Sequence, residues 1–392
     1  MDQLPLKGIR VVEMSHMVMG PTCGMLLATL GADVIKVEPP AGDKTRELTG
    51  MATSFFPLFN RGKRSIVLDL ASDDGREALD RLLATADVFV ENFKDETIAR
   101  NGIQASQLAE RYPRLIIAAH KGFLSGPYEH RPALDEVVQM MTGLAHMTGL
   151  PGKPLRVGAS VNDIMGGMFG VIGVLSALRD RDRTGRGTEV RIGLFENCLF
   201  TVAQHIVQFQ MTGIPVPPMA QKAAAWPVYD IFETADGRKL FVAATTSGQW
   251  QAFCTAFGFE DLLTDPELQT VSDRILARPK LIPRFALRIA QDRLDVLLVK
   301  LDELGLPFAP INAPEDLLDD PHVRRPGGLV EMRGVDDQII KVPALPLEFD
   351  QHSIETLTQV PLLGGDTMNV LTELGYSSAE AAVIVGRTEH AA

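Results

Sequence analysis

Residues 9–38 read I-R-V-V-E-M-S-H-M-V-M-G-P-T-C-G-M-L-L-A-T-L-G-A-D-V-I-K-V-E, and this stretch decides the fold. Its two ends, residues 9–13 and 33–38, are short runs rich in β-branched apolar residues, which predict buried strands. Residues 21–30 between them predict a helix. The alternation continues with predicted strands at 65–70, 87–92 and 115–119 and a predicted helix at 73–84. Strands that alternate with helices form βαβ units, so the sequence predicts an α/β domain with a parallel sheet.

A second informative stretch, residues 160–178, reads S-V-N-D-I-M-G-G-M-F-G-V-I-G-V-L-S-A-L. It predicts an apolar helix too short for a membrane span, with Asp163 in its first turn, where the helix dipole favours a carboxylate. Gly166, Gly167 and Gly170 follow at helical spacing and share the face of Asp163. This face suits either tight packing against a neighbouring helix, with Asp163 as a cap, or the close approach of a ligand to Asp163.

Composition limits the function classes. The chain has 392 residues, 45% of them hydrophobic, and a formal net charge of −12. The acidic balance argues against a general nucleic-acid or membrane partner, although it allows a local basic pocket. Its three cysteines are widely spaced, which predicts neither disulfides nor a metal site and favours a reducing compartment, the cytoplasm. The first residues do not have the pattern of a secretory signal.

The loop after the first predicted strand lacks G-x-G-x-x-G, which argues against a nicotinamide dehydrogenase. Motifs of the common NTPases, zinc hydrolases and serine hydrolases are also missing from the sequence. Basic residues nevertheless occupy loops at strand ends: Arg61, Lys63 and Arg64 before the third strand, and Lys94 and Arg100 after the fourth. Such loops surround the ligand in parallel sheets, so the residues fit phosphate binding as well as ordinary solvated surface.

Several motifs, in order along nearly the whole chain, resemble those of the class III coenzyme A transferases, the CaiB/BaiF family. They are G-A-D-V-I-K-V-E-P-P-A-G-D, N-R-G-K-R-S-I-V-L-D-L, D-V-F-V-E-N-F, the helix opened by Asp163, T-G-R-G-T-E-V and L-L-G-G-D-T. The resemblance implies a large, doubly wound, Rossmann-like α/β domain, a smaller α+β domain, and a homodimer of two interlocked rings. The implied division is a large domain at 1–190, a linker at 191–223, a small domain at 224–312, a linker at 313–360 and a C-terminal helix at 361–392.

The family resemblance implies that Asp163 is a nucleophile. Its carboxylate attacks an acyl-CoA to give a mixed anhydride, the CoA thiolate converts this to an aspartyl-CoA thioester, and a carboxylic acid then takes the CoA. Coenzyme A is therefore a substrate, and neither a permanently bound cofactor nor a metal is expected. N–H groups near Gly166 and Gly167 are candidates for stabilising an oxyanion.

The resemblance also implies a CoA site. His16 and Met17 match positions at the pantetheine and thiol end, and Asn92, Phe93, Lys94 and Arg100 match positions around the nucleotide. This chain has prolines at 39 and 40 and Ala71 where some relatives have bases. We therefore expect part of the phosphate binding to pass to Arg46 or Lys63.

Acyl-CoA racemases of the same family are the alternative enzyme class. They need a His in a G-H-D motif, which here reads Ala133, Leu134, Asp135, so transfer is favoured. Asp135 itself matches an acidic position near the transferase site, where it would orient the acceptor; a helix cap is the simpler interpretation. A non-catalytic acyl-CoA binder, the third class, would not need Asp163.

The sequence says less about the substrates than about the type of reaction. Lys121 and Arg131 suggest pairing with a second carboxylate, which favours a dicarboxylate as donor or acceptor, and transfer within one dicarboxylic acid is equally compatible. Relatives that use oxalate cover the site with a glycine-rich loop, whereas residues 220–227 here read A-Q-K-A-A-A-W-P. Oxalate is therefore not the expected acceptor.

Overall fold

The computed structural model describes residues 4–221, 226–350, 352–354 and 358–391. The chain divides into two compact units, the first formed by residues 1–220 and 324–392, the second by residues 221–323. The predicted domain boundary at 224 and the middle of the 220–227 loop lie outside the described residues.

The first unit is built on a six-stranded sheet with the order β3-β2-β1-β4-β5-β6, in which every pair is parallel. The predicted parallel α/β sheet is thus confirmed. The described strands are β1 Arg10–Met14, β2 Asp33–Glu38, β3 Arg64–Val67, β4 Val88–Glu91, β5 Ile116–Lys121, β6 Glu189–Gly193, β7 Val228–Glu233, β8 Lys239–Ala244, β9 Phe308–Pro310, β10 Leu329–Arg333, β11 Ile339–Pro343, β12 Glu348–Phe349, β13 His352–Ser353 and β14 Thr358–Gln359.

Helices cover both faces of this sheet. The described helices are α1 Met19–Thr29, α2 Phe55–Asn60, α3 Asp73–Ala84, α4 Asp95–Arg100, α5 Ala105–Arg111, α6 Asp135–Thr142, α7 Leu144–Thr148, α8 Val161–Thr184, α9 Leu194–Thr212, α10 Ser247–Phe257, α11 Glu260–Thr264, α12 Val271–Leu276, α13 Arg278–Ile289, α14 Leu294–Glu303, α15 Thr367–Glu373 and α16 Ser378–Ala391. Alternate strand residues point to opposite faces. In β1, Val11 belongs to the core shared with α1 and α8, whereas Val12 belongs to the core shared with α3, α15 and α16.

Helix α8 is the central helix of one face, and glycines permit its close packing on α1. A Cβ atom added at Gly167 would lie 2.6 Å from Cβ of Thr22 and 3.0 Å from the backbone nitrogen of Cys23. At Gly170 it would lie 2.6 Å from Nε2 of His120. Among the described helices, α8 is long and apolar enough to cross a membrane, but core helices pass the same test. Packing against α1 and the sheet buries its glycine face, whereas Met168 and Ile172 are exposed.

Replacing Gly167 by alanine is expected to destabilise the protein by about 1–3 kcal/mol, because the added methyl group meets the backbone of α1. The matched control is Gly386→Ala in α16, where no atom lies within 4 Å of the added Cβ. There alanine should stabilise the helix by up to about 1 kcal/mol. Thermal unfolding of both variants measures the difference. Equal effects at the two positions would contradict close packing of α1 on α8.

The two segments predicted as linkers contain regular structure. Residues 191–223 include α9, and residues 313–360 include the described strands β10 to β14, of which β10 pairs with β11 antiparallel and with β14 parallel. The prolines at 215–218, which predict a linker, follow the end of α9. The alternating apolar pattern of residues 329–343 indicates strands. The C-terminal segment forms two helices, α15 and α16, where a single helix is predicted.

The second unit has its own sheet, β7-β8-β9, with antiparallel pairs. Residues 228–244 form a hairpin that turns at Asp236 and Gly237, as the sequence predicts, and Gly237 has a φ of +70°. An aromatic core of Trp250, Phe253 and Phe285 joins the sheet to α10 and α13.

Candidate active site

The topological switch point of the large sheet lies between β1 and β4, where the strand order reverses. Ligands of open parallel sheets bind at this point, beyond the carboxyl ends of the strands. The loop after β1 carries His16, and the loop after β4 carries Asn92. The two residues exchange hydrogen bonds: the His16 N–H donates to Asn92 Oδ1 at 3.0 Å, and Asn92 Nδ2 donates to the His16 carbonyl at 2.8 Å. The His16 ring stacks on Phe93, with 5.6 Å between centroids.

Met17 lies at the tip of this loop in an unusual backbone conformation. Its φ is +64°, a left-handed value that costs a non-glycine residue about 1 kcal/mol or more, and its side chain is exposed. The Met17 N–H donates to Thr45 Oγ1 at 3.1 Å, and Thr45 is fixed by Asp43. The surrounding residues thus hold the first loop in one shape, with Met17 displayed to solvent.

Buried charged side chains contact the loop after β1. Lys36 is fully buried on β2, and its ammonium donates to the Ser15 carbonyl at 2.6 Å and pairs with Asp43 at 2.9 Å. Despite desolvation, Glu13, Asp43 and Glu38 together raise the pKa of Lys36. The Lys36 ammonium therefore connects Ser15, at the start of the loop, to Asp43, which fixes the Thr45 partner of Met17.

Lys63 belongs to the same buried network. Its ammonium contacts Glu13 at 2.7 Å, Asn60 Oδ1 at 2.9 Å and the Pro21 carbonyl at 2.9 Å, and its side chain has no exposed surface. Burial lowers the pKa of Lys63 to about 8. A side chain enclosed in this way cannot reach a phosphate, so the predicted role of Lys63 in CoA binding is not retained.

Arg46 is also engaged within the protein. Its guanidinium forms a two-pronged pair with Glu38, at 2.8 and 2.7 Å, donates to the Pro361 carbonyl and stacks over the Phe56 ring at 3.8 Å. These partners leave little of its hydrogen-bonding capacity for a phosphate. Lys94 and Arg100, in contrast, are exposed at the two ends of α4, directly beyond Asn92 and Phe93, and both remain candidates for phosphate binding.

Asp163 lies in the first turn of α8, half-buried. Burial raises the pKa of Asp163 to about 7, the neighbouring Asp135 carboxylate acts in the same direction, and Arg156 opposes them. Desolvation leaves the ionised Asp163 carboxylate less stabilised by water, which makes it a stronger nucleophile than a water-exposed carboxylate.

The β1–α1 loop lies next to this turn. Val18, which follows Met17, shares a small apolar cluster with Ile164, the residue after Asp163. The neighbouring Met19 packs so closely on Gly166 that an added Cβ there would lie 2.5 Å from its Cε. The structure therefore brings the predicted CoA-thiol loop and the predicted nucleophile together.

Asp135 is buried at the start of α6 and binds the start of α8. Its Oδ1 accepts the Asn162 N–H at 3.0 Å, and its Oδ2 accepts from Gln139 Nε2 at 2.6 Å. Gln139 in turn accepts the Val157 N–H at 2.9 Å. Asp135 thus caps α8, whereas the predicted cap of its own helix is not formed. Sequence reasoning missed Gln139 and Arg156; the spacing of Asp135 and Gln139, four apart on a helix, was the available signal.

Four further predicted residues have other contacts. Gly166 and Gly167 lie inside α8, which starts at Val161. Their N–H groups therefore donate to carbonyl groups four residues earlier in the same helix. The predicted role of these N–H groups in stabilising an oxyanion is not retained. Lys121 pairs with Glu91 at 2.9 Å and donates to the Phe93 carbonyl, so it supports the Asn92 loop rather than a free substrate carboxylate. Arg131 is exposed and lies over the Tyr128 ring.

The position of the racemase histidine holds Leu134, which is 64% exposed. Another histidine, His120, is buried against the glycine face of α8, and burial lowers its pKa to about 4. It is therefore neutral in the core at physiological pH. Among the described residues, no group of three or more His, Cys, Asp or Glu side chains is arranged to hold a metal.

Comparison with known proteins identifies the family. The family model for CoA-transferase family III matches residues 6–367. The chain belongs to CoA-transferase family III. This family III enzyme is 31% identical to the succinate–glutarate CoA-transferase of Agrobacterium fabrum, over 94% of this chain and 96% of that protein. It is 32% identical to the succinyl-CoA:mesaconate CoA-transferase of Haloarcula hispanica, over 95% and 97% of the two chains.

A solved CaiB/BaiF family protein from Brucella suis has the same fold. It superimposes with a TM-score of 0.85 at 32% identity, covering 95% of this CoA-transferase and 100% of that chain. The predicted α/β fold class, with its large parallel sheet, is confirmed by the structure and agrees with this neighbour.

Proposed function

We propose that this family III enzyme moves coenzyme A between an acyl-CoA and a dicarboxylic acid, with Asp163 as the covalent nucleophile. The observation that carries the proposal is the half-buried Asp163, with a pKa near 7, beside the loop of His16 and Met17. Two curated relatives bear names with succinyl, glutarate or mesaconate substrates, which supports a dicarboxylate. Lys121, engaged with Glu91, no longer contributes to that preference.

The reaction proceeds by four displacements at carbonyl carbons. The Asp163 carboxylate attacks the thioester carbonyl, the C–S bond breaks, and a mixed anhydride and CoA thiolate result. The thiolate then attacks the aspartyl carbonyl, releasing the donor acid and leaving an aspartyl-CoA thioester. The acceptor carboxylate attacks this thioester and expels the thiolate, and the thiolate attacks the acceptor carbonyl of the new anhydride. Asp163 regains its carboxylate, and the acceptor leaves as acyl-CoA.

The protein contributes position and environment. The fixed loop of His16 and Met17 holds the thiol end, while the exposed Lys94 and Arg100 attract the nucleotide phosphates. Holding the thioester against Asp163 replaces an encounter in solution by a local reaction, which is the main advantage available to a weak nucleophile.

The test is mass analysis of the intact enzyme and its peptides after mixing with a panel of acyl-CoAs, with hydroxylamine as a trap. We expect an adduct equal to CoA less one water on the peptide of Asp163, and a hydroxamate at Asp163 after trapping. If no acyl-CoA marks Asp163 while a 2-methylacyl-CoA exchanges its α-proton with deuterated water, the racemase alternative replaces the proposal. Binding of acyl-CoA without either reaction would indicate a non-catalytic binder.

We further propose that the enzyme is a homodimer and acts in the cytoplasm. Large apolar side chains are exposed on α8 and α9, among them Met168, Ile172 and Phe200, which are 48, 56 and 68% exposed. Contiguous apolar surface of this kind supports an interface with a second copy. The three cysteines are free thiols, which supports a reducing compartment.

A further inference from the structure

Arg156 lies in the loop before α8 and contacts both backbone and carboxylates. Its Nε donates to the Val157 carbonyl at 3.0 Å and its Nη2 to the Ala159 carbonyl at 3.2 Å. The same guanidinium pairs with Glu136 at 3.0 Å and lies 3.6 Å from Asp135 Oδ2. Its side chain is 27% exposed, so the cation is fixed at the rim of the site rather than enclosed in the core.

The Asp135 carboxylate binds the first turn of α8, which contains Asp163. Asp135, on α6, is 8% exposed and binds the N–H of Asn162, the residue next to Asp163. Asp135 and Arg156 are the charged groups that act on Asp163 among the described residues, and the adjoining turn of α1 presents Val18 and Met19, which are uncharged. A neighbouring negative charge disfavours ionisation of the Asp163 carboxyl group, and a nearby cation opposes this effect.

We propose that Arg156 is a positioning residue for the nucleophile: it fixes the turn of residues 157–160 and compensates Asp135, so that Asp163 is ionised when acyl-CoA arrives. The inference rests on the proposed function, since it assigns a role in preparing the same nucleophile. Glu136, its other acidic partner, is 59% exposed and well solvated, and therefore adds little to the local charge balance.

A purely structural role and a charge-compensating role of Arg156 predict different effects on the titration of Asp163. Loss of the loop contacts alone lowers thermal stability without changing how Asp163 titrates. Loss of the compensating charge makes Asp163 harder to ionise, whatever the stability. Arg156→Met removes both functions, whereas Arg156→Lys retains the charge without the planar fork.

The first measurement follows the pH dependence of carbodiimide coupling at Asp163, read by peptide mass analysis, because this reagent attacks protonated carboxyl groups and needs no acyl-CoA. In Arg156→Met we expect the midpoint to rise by about one pH unit, which is about a tenfold smaller ionised fraction below the midpoint. Arg156→Lys should restore most of the shift. Arg183→Met, at the far end of α8, removes the same charge as a control and should leave the midpoint unchanged.

The second measurement repeats the comparison in Asp135→Asn, where an uncharged amide replaces the buried carboxylate and Glu136 is unchanged. Asp135→Asn alone should lower the midpoint, and Arg156→Met should still raise it in this background, because Arg156 also acts on Asp163 directly. A wild-type midpoint in Arg156→Met, with or without a loss of melting temperature, would overturn the inference. Failure of the proposed function is distinguishable, because it would appear as absence of acylation of wild-type Asp163 by any acyl-CoA while the carbodiimide titration still reports on Arg156.

Discussion

Replacing Asp163 by asparagine is expected to abolish CoA transfer, lowering turnover by about a thousandfold or more, as loss of a covalent nucleophile does in other enzymes. Asparagine has nearly the same shape, but its amide does not attack a thioester. Steady-state transfer from the acyl-CoA that marks wild-type Asp163 to a dicarboxylic acid, together with the intact mass of the enzyme after mixing, measures the effect. Asp180→Asn, on the exposed face of the same helix, is the matched control and should retain full activity.

Asp163→Asn should also change how the stability of the protein depends on pH. The folded-state pKa of Asp163, about 7, is higher than the ordinary value of 3.8. The unfolded chain therefore ionises first as pH rises, and the wild type loses stability between these two values. Asp163→Asn should have the wild-type melting temperature near pH 4 and a higher one at pH 8. An inactive variant that is also less stable at pH 8 would indicate misfolding rather than loss of a nucleophile, and the activity result would then carry no weight.

Replacing Lys63 by methionine is expected to destabilise the first unit by about 3–5 kcal/mol, since removal of one member of a buried ion pair leaves the other uncompensated. The group left poorly compensated is Glu13, which has no exposed side-chain surface and lies 2.7 Å from the Lys63 ammonium; it would keep the more distant Lys36 ammonium, at 3.7 Å. Urea unfolding followed by circular dichroism measures the loss. The variant should also bind acyl-CoA more weakly, because Glu13 accepts a hydrogen bond from Ser15 at the base of the CoA loop.

Two comparisons isolate the cause. Adding Glu13→Gln to Lys63→Met removes the uncompensated charge and should restore a large part of the stability. Arg76→Met breaks an ion pair with Asp73 whose side chains are 48 and 97% exposed, and should cost less than about 1 kcal/mol. If Lys63→Met is as mild as Arg76→Met, the buried network does not hold the loop. Unchanged unfolding combined with weaker acyl-CoA binding would instead return Lys63 to the ligand site.

The amino-acid pattern alone determined the parallel sheet and the position of the candidate nucleophile. Strands β1 and β2 and the helix between them follow from short apolar runs, because these elements are buried on nearly all sides and β-branched residues distinguish the strands. Asp163 at the start of a glycine-faced helix is likewise a local feature. Its chemical role came from the family motifs, since a capping aspartate would have the same local sequence.

Only the tertiary structure decided which charged residues are available to a ligand. Lys63 and Glu13 are 50 positions apart in sequence, and Arg46 contacts the carbonyl of Pro361, 315 positions away. No local pattern reports such partners, because the free energy of a buried charge depends on groups that folding brings to it from elsewhere in the chain. For the same reason, the place of Arg156 between Asp135 and the turn of Asp163 depends on the packing of α6 against the start of α8.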